Sequence, residues 1–178
     1  PLKNLAHDDY AIKIERQTGF AQLLQNSKHT AESVNGISTV FLEQEQILYS
    51  GQGRIDNRIQ LTEQLGLKID NQYPDSSLML KAYLRWSKDC VHYLYGNWSF
   101  AVFDIREQEL FISRDQMGYT SVYYYQDDTG FYFGSSIKSL LALPNYHKQL
   151  NEEHFVRKLT LWGDDTLAAE STFYKNIY

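Results

Sequence analysis

Short stretches rich in apolar residues predict strands along this chain, most clearly at residues 98–104. Trp98, Phe100 and Val102 share one side of an extended segment, whereas Ala101 and Phe103 share the other. A strand that is apolar on both sides is covered on both sides. Weaker runs of the same kind predict further strands at 10–15, 39–42, 47–49, 110–113, 121–125 and 130–134.

Helical spacing is clearest where Leu78, Ala82 and Trp86 form one apolar stripe on a helix that begins at Asp75 or Ser76. Shorter helices are predicted at 57–65 with Asn57 as cap and Gly66 at the end, at 88–95 before Gly96, at 137–143 before Pro144, and from Asn151 onward. This order of strands and helices predicts an α+β domain in which two antiparallel sheets pack together with helices outside.

Composition and charge exclude several functional classes. The 178 residues carry a formal net charge of −5 and no run rich in Lys and Arg, which argues against nucleic-acid binding. The apolar runs are shorter than the roughly 18 residues that a membrane span needs. No signal-like apolar block follows a basic start. We therefore expect a cytoplasmic protein with one domain over residues 1–178.

Few side chains suggest metal, nucleotide or thiol chemistry. The five histidines show no metal-ligand spacing with one another or with acidic residues, so no metal site is expected. The chain has no G-x-x-x-x-G-K-[ST] phosphate loop. Cys90 is the only cysteine, and its place in a predicted helix beside Val91 favours a buried structural side chain over a reactive thiol.

The stretch GQGRIDNR at residues 51–58 permits two interpretations. In the first, a strand ends in a glycine turn before a capped helix. In the second, an exposed loop points its backbone amides and the Gln52 carboxamide into a cleft, where such a pair could stabilise an oxyanion. The residues alone leave both interpretations open.

Five ordered segments together resemble the N-terminal domain of asparagine synthetases and of diverged relatives such as β-lactam synthetases and lasso-peptide cyclases. GRIDNRIQLTEQLG is similar to the N-G-E-I-Y-N-x-x-x-L segment of that family, and more so to its A-R-I-D-N-R version. The other four segments are PDSSLMLKAYLRWSKDCVHYLYGNWSFAVFD, LFISRDQMGYTSVYYY, FYFGSSIKSLLALP and STFYKNIY. The resemblance is strong over about residues 47–178.

The resemblance implies a glutamine amidotransferase domain of type 2 with the Ntn-hydrolase fold, a four-layer αββα sandwich. In the active family this domain hydrolyses glutamine with an N-terminal cysteine whose own α-amino group is the base. The ammonia passes to a C-terminal, ATP-dependent synthetase domain of the same polypeptide. The resemblance thus implies no cofactor in these residues, with ATP and Mg²⁺ held by the synthetase domain.

The resemblance also implies a glutamine cleft made by Gln52, Gly53, Arg54 and Asp75. Gln52 matches the family's oxyanion-hole Asn, Gly53 matches the Gly that donates a backbone N–H, and Asp75 matches the Asp that holds the substrate's α-amino group. Arg54 replaces a Glu. The family's G-H-R-R-L segment, whose Arg binds the substrate carboxylate, aligns with residues 19–23, where both arginines are absent.

No residue of this chain matches the catalytic cysteine, because the chain begins at Pro1 and Cys90 matches a helix cysteine of the family. We expect the first strand and the synthetase domain to lie outside these residues. The lost arginines favour a domain that no longer hydrolyses glutamine. Two alternatives stay open: an active amidotransferase in which Arg54 or Arg58 binds the carboxylate, and a non-catalytic structural or dimerisation domain.

Overall fold

The computed structural model describes residues 9–15, 18–24, 39–68, 73–160 and 171–178, with the side chains of 9–24 excepted. The chain divides into two compact units. One comprises residues 5–120, and the other comprises residues 121–178 with residues 1–4.

The first unit is built on antiparallel sheets. Its strands are β1 (Asp9–Glu15), β2 (Thr18–Leu24), β3 (Thr39–Leu42), β4 (Ile47–Ile55), β5 (Gly96–Asp104) and β6 (Glu109–Arg114). Among the described residues, β3, β4, β5 and β6 form one sheet in that order, and β1 and β2 form a separate hairpin whose backbone lies beside β3 and β4.

Helices cover one face of the larger sheet. They are α1 (Arg58–Gln64), α2 (Asp75–Trp86) and a 3₁₀ helix (Ser87–Tyr93). The core between them consists of apolar side chains from β4 and β5 packed on α2 and the 3₁₀ helix: Tyr49, Trp98, Phe100, Val102, Leu78, Met79, Ala82, Cys90 and Leu94. The opposite face of the sheet is also buried at Leu48 and Ala101, as expected for a strand that is apolar on both sides.

Cys90 lies fully inside this core, which confirms it as a buried side chain. Burial, assisted by the nearby Asp89 carboxylate, raises the pKa of its thiol to about 12. Because the thiolate is the reactive form, we expect the native protein to react with a thiol-specific disulfide reagent at pH 8 at least about a hundredfold more slowly than the urea-unfolded protein. Equal rates in the two states would contradict this placement of Cys90.

The second unit contains β7 (Tyr123–Asp127), β8 (Gly130–Gly134), α3 (Ile137–Leu141) and α4 (Glu152–Leu159). β7 and β8 form an antiparallel hairpin, and the C-terminal residues join it through a bridge between Tyr125 and Ile177. Tyr125, Leu140, Tyr146 and Ile177 form the core of this unit. Asn151 caps α4, as predicted, because its side chain accepts a hydrogen bond from the His154 N–H at 3.2 Å.

The turn between β7 and β8 depends on the Asp127 carboxylate. It accepts hydrogen bonds from the Thr129 hydroxyl at 2.6 Å, the Thr129 and Gly130 backbone amides, and the Asn145 carboxamide at 2.6 Å. Hydrogen bonding by Thr129 is the main reason that the pKa of Asp127 falls to about 2, against the burial that opposes it.

We therefore expect the Asp127 carboxyl to titrate near pH 2 in a carbon-detected NMR titration, about two units below a free aspartate. Since the folded pKa is the lower one, the stability contributed by this carboxylate is complete above about pH 4 and is lost as the pH falls through about 2. Thr129→Val should move the titration upward, and an unchanged midpoint in that variant would contradict the assigned cause.

The predicted α+β class is confirmed, and each predicted strand and helix has a counterpart. The layering of a four-layer sandwich stays a prediction. Several local predictions need correction. The strands predicted at 47–49 and 121–125 span Ile47–Ile55 and Tyr123–Asp127. The segment at 88–95 is a 3₁₀ helix over Ser87–Tyr93, the helix before Pro144 ends at Leu141, and Asn57 precedes α1 without a side-chain capping bond. Within the described ranges, no helix has the length and apolar character needed to cross a membrane.

Candidate functional site

Gly51, Gln52 and Gly53 lie inside β4, so the interpretation of a turn that ends the strand is wrong. The strand continues to Ile55, and Gly51 and Gly53 are paired with Phe100 and Trp98 of β5. Close packing explains the glycines. A Cβ atom on Gly53 would lie 2.5 Å from the Trp98 Cα, and one on Gly51 would lie 2.6 Å from the Tyr49 ring.

The direction of the Gly53 backbone N–H follows from the ladder. Hydrogen bonds from Asp56 N to Tyr95 O at 2.8 Å and from Ile105 N to Gln46 O at 3.0 Å show that even-numbered residues of β4 bond to β5. Gly53 is odd-numbered, so its N–H and C=O point away from β5. They face the edge of β4 that pairs with β3, whose first residue, Thr39, lies opposite Ser50. The Gly53 N–H therefore does not donate to β5.

The Gln52 side chain lies on the sheet face opposite to the helices, because Tyr49 and Phe100 occupy the helix side. Polar residues collect on this face around Gln52. Ser99 is its partner in β5 and is buried, and the Ser50 hydroxyl lies 2.9 Å from the hydroxyl of the buried Thr39. The half-buried Gln52 thus stands at the polar end of a face that is apolar at Leu48.

Arg54 lies two residues further along β4 and is exposed. Its guanidinium donates to the Asp56 carboxylate from Nε at 2.7 Å and from Nη2 at 3.3 Å. The pair is solvent-exposed on both sides, at 61% and 53% of the two side chains. The Arg54 guanidinium is therefore engaged with the residue that directly follows β4, and a role in carboxylate binding would require this exposed pair to open.

Asp75 begins α2 and lies on the helix side of the sheet, away from the Gln52 side chain. Its carboxylate forms an ion pair with Arg58 Nη1, and Arg58 Nη2 donates to the Tyr73 carbonyl at 2.7 Å. The two side chains are 19% and 11% exposed. The Tyr49 hydroxyl donates to the Ser76 carbonyl at 2.8 Å and thereby ties the start of α2 to β4.

Asn57 fixes the start of α1, where Arg58 lies. Its side chain does not cap α1, because its carboxamide donates to the Tyr93 carbonyl at 2.9 Å and accepts from the Tyr95 N–H at 3.1 Å. This contact fixes the first turn of α1 against the end of the 3₁₀ helix. Arg58 is the first residue of α1, and its position is fixed by the same contact.

Asp115 is a buried acidic residue that the sequence analysis did not single out. It is 3% exposed, and it accepts hydrogen bonds from the Tyr119 N–H, the Thr120 N–H and the Thr120 hydroxyl at 2.8–2.9 Å. Burial alone would raise the pKa of this carboxyl, but the bonds from Thr120 and Tyr119 outweigh burial and lower it. An aspartate followed three residues later by a glycine is typical of a tight turn, and Asp115 and Gly118 gave this signal in the sequence. In the structure Gly118 has a φ of +69°, as such a turn requires.

The segment aligned with the family's carboxylate-binding arginines forms the middle of β2, where Gly19–Leu23 pair with residues 10–14 of β1. None of these five residues is an arginine. Over the part of the chain that the structure describes, no three His, Cys, Asp or Glu side chains lie together as a metal site would require. His7 and His29 lie outside the described residues.

Comparison with known proteins identifies the family of this chain. A family model described as a glutamine amidotransferase domain matches residues 25–142, which is more than half of the chain. A Methanocaldococcus jannaschii protein, provisionally named asparagine synthetase [glutamine-hydrolyzing] 2, is 34% identical over 110 residues, which is 62% of this chain and 21% of that protein.

Two Bacillus subtilis proteins are also similar. Asparagine synthetase [glutamine-hydrolyzing] 3 is 39% identical over 71 residues, which is 40% of this chain and 12% of that protein. Asparagine synthetase [glutamine-hydrolyzing] 2 is 25% identical over 172 residues, which is 96% of this chain and 23% of that protein. The matched part thus spans less than a quarter of each of these relatives. The chain belongs to the glutamine amidotransferase domains of the asparagine synthetase type.

Proposed function

We propose that this chain is the amidotransferase domain of a larger ATP-dependent, amide-forming ligase, and that the domain is degenerate in glutamine hydrolysis. The observation that carries the proposal is the ion pair between Asp75 and Arg58, which occupies the carboxylate aligned with the substrate's amine. The absence of an arginine from Gly19–Leu23 agrees with it, because a carboxylate ligand needs a bidentate donor that alanine and glutamine do not replace.

In this proposal the partner is a C-terminal synthetase domain of the same polypeptide, which holds ATP and Mg²⁺ and forms the amide. The relatives are named asparagine synthetases, and the matched region is a small part of each. The present domain retains a structural role, such as covering the synthetase site or contributing to a homodimer. A cytoplasmic location belongs to the same proposal.

The orientation of Gly53 favours a second candidate, an active glutamine amidotransferase. Its N–H points away from β5, as an oxyanion donor must, and the neighbouring Gln52 offers a carboxamide. Glutamine hydrolysis would then need an N-terminal cysteine in the native polypeptide and a new cation for the substrate carboxylate. Arg54 and Arg58 are the candidates, and each is engaged with an aspartate.

One experiment separates the two functions. The native full-length polypeptide is assayed for ATP-dependent amide formation with ammonium chloride or with glutamine as nitrogen donor, together with glutamate release. The N-terminal residue is determined by intact mass with fragmentation. We expect ammonium to support the reaction and glutamine to support it at less than about one hundredth of that rate. A glutamine-dependent rate close to the ammonium-dependent rate would overturn the degenerate assignment.

A further inference from the structure

The Arg58 guanidinium donates to two acceptors on the segment that leads into α2. Nη1 contacts the Asp75 carboxylate and Nη2 contacts the Tyr73 carbonyl at 2.7 Å. A carboxylate and a carbonyl are also the acceptors that a primary ammonium group uses, since ammonium offers three donors and no acceptor. The Arg58 and Asp75 side chains are only 19% and 11% exposed, so this ion pair is shielded from water.

From this geometry we infer that Arg58 is an internal cation that takes the place of a ligand ammonium group at Asp75, so that the site does not recognise an α-amino group. The inference rests on the proposed function, which places the glutamine amine at Asp75. The Arg58 guanidinium would then be the cause of the lost glutamine hydrolysis, and Arg58 would determine whether the site recognises an α-amino group.

Competition between two cations provides the physical reason. Arg58 is tethered at the first residue of α1, whose start is fixed by the contacts of Asn57 with Tyr93 and Tyr95. A free ammonium ligand must displace this tethered guanidinium and leave it without its partner. A charge-assisted hydrogen bond that is lost in this way corresponds to about a tenfold to hundredfold loss of affinity.

Removing the guanidinium should reverse the preference. A mostly buried carboxylate without its cation is unfavourable, and a ligand ammonium group can supply the missing charge. A purely structural clasp between α1 and α2 predicts a different result. In that case the variant loses stability and gains no preference for an amine.

The test compares L-glutamine with 4-carbamoylbutanoate, which is glutamine without its α-amino group. Dissociation constants are measured by calorimetry on the native full-length polypeptide and on its Arg58→Gln variant. We expect the wild type to bind the two compounds equally or to bind neither. The variant should bind glutamine at least about tenfold more tightly than 4-carbamoylbutanoate, and adding Asp75→Asn should remove that preference.

Arg106→Gln serves as the matched control, because Arg106 lies in the same unit, has a 60% exposed side chain and forms a long ion pair of 3.8 Å with Asp104. Arg106→Gln should leave the relative affinity for L-glutamine and 4-carbamoylbutanoate as it is in the wild type. A folded Arg58→Gln variant with the wild-type ratio, or without binding of either compound, would overturn the inference. Cooperative thermal unfolding establishes that the variant is folded.

A second measurement does not depend on the folding of Arg58→Gln. In the wild-type background, Asp75→Asn should create no preference between the two compounds, whether the wild type binds both equally or neither, because Arg58 already occupies Asp75. A wild type that prefers glutamine tenfold, and loses the preference in Asp75→Asn, would overturn the role of Arg58. Glutamate release tests the proposed function separately, since hydrolysis of glutamine without amine preference would overturn the function and leave the role of Arg58 intact.

Discussion

Asp115→Ala is expected to lower the free energy of unfolding by about 2–4 kcal/mol. The carboxylate of Asp115 is buried and accepts hydrogen bonds from two backbone amides and one hydroxyl, those of Tyr119 and Thr120. Alanine leaves these donors without an acceptor where water has little access. The loss of unfolding free energy is therefore set by the desolvation cost of these unpaired donors, which exceeds the mean net contribution of a hydrogen bond.

The same substitution should loosen the segment 115–120 from the sheet. The Asp115 N–H donates to the Trp98 carbonyl at 2.8 Å, and the Thr120 hydroxyl oxygen lies 2.5 Å from the same carbonyl oxygen, so its one hydrogen is shared between Trp98 and Asp115. Trp98 is one of the largest buried side chains of the first unit. The effect of Asp115→Ala should thus reach the core through β5.

Urea unfolding at pH 7 measures this loss, and for a chain of this size it corresponds to a fall in Tm of about 2–4 °C per kcal/mol. Asp56→Asn is the control, because that carboxylate is 53% exposed and should change stability by less than about 0.5 kcal/mol. A loss no larger for Asp115→Ala than for the control would contradict the structural role.

The pH dependence provides a further check on Asp115. Its folded pKa lies below that of a free aspartate, so its contribution is present above about pH 4 and is lost as the pH falls through the folded value. The difference between wild type and Asp115→Asn should therefore shrink in acid. A difference that grows as the pH is lowered from 5 would indicate a raised pKa instead.

Strands were predicted well where a short run of apolar and aromatic residues decides the outcome. β5 is the clearest case, since Trp98 to Val102 are all buried. Prediction from the sequence failed where a residue contacts another residue that is distant in the chain. The two glycines of GQG indicated a turn, whereas they are needed because Trp98 and the Tyr49 ring lie where their Cβ atoms would be.

The candidate site illustrates the same limit. The resemblance pointed to Asp75 and Arg54. Asp75 begins a helix as predicted, whereas Arg54 lies inside β4, where a turn or a loop was expected. The partner of Asp75 is Arg58, 17 residues earlier in the sequence, and local spacing gives no sign of that pair. Asn57 likewise has the residue type of a helix cap, but its side chain bonds to Tyr93 and Tyr95 because the 3₁₀ helix lies within reach.

Gly53→Ala is expected to have the largest effect on stability, a loss of about 3–5 kcal/mol. The φ angle of Gly53 is +141°, a conformation that residues with a Cβ atom rarely adopt. The new methyl group would also meet the Asn97 carbonyl oxygen and lie 2.5 Å from the Trp98 Cα. Both contacts are backbone atoms of β5, so relief requires separation of β4 from β5 in the middle of the sheet.

Gly66→Ala separates the two causes of this loss. Gly66 follows α1 with a φ of +68°, and no atom lies within 4 Å of the position of an added Cβ. It should therefore cost only the backbone strain, about 1 kcal/mol. Urea unfolding of both variants at pH 7 gives the comparison. If Gly53→Ala costs no more than Gly66→Ala, then β4 does not approach β5 at Gly53 as closely as the structure shows, and the orientation of the Gly53 N–H would have to be reconsidered as well.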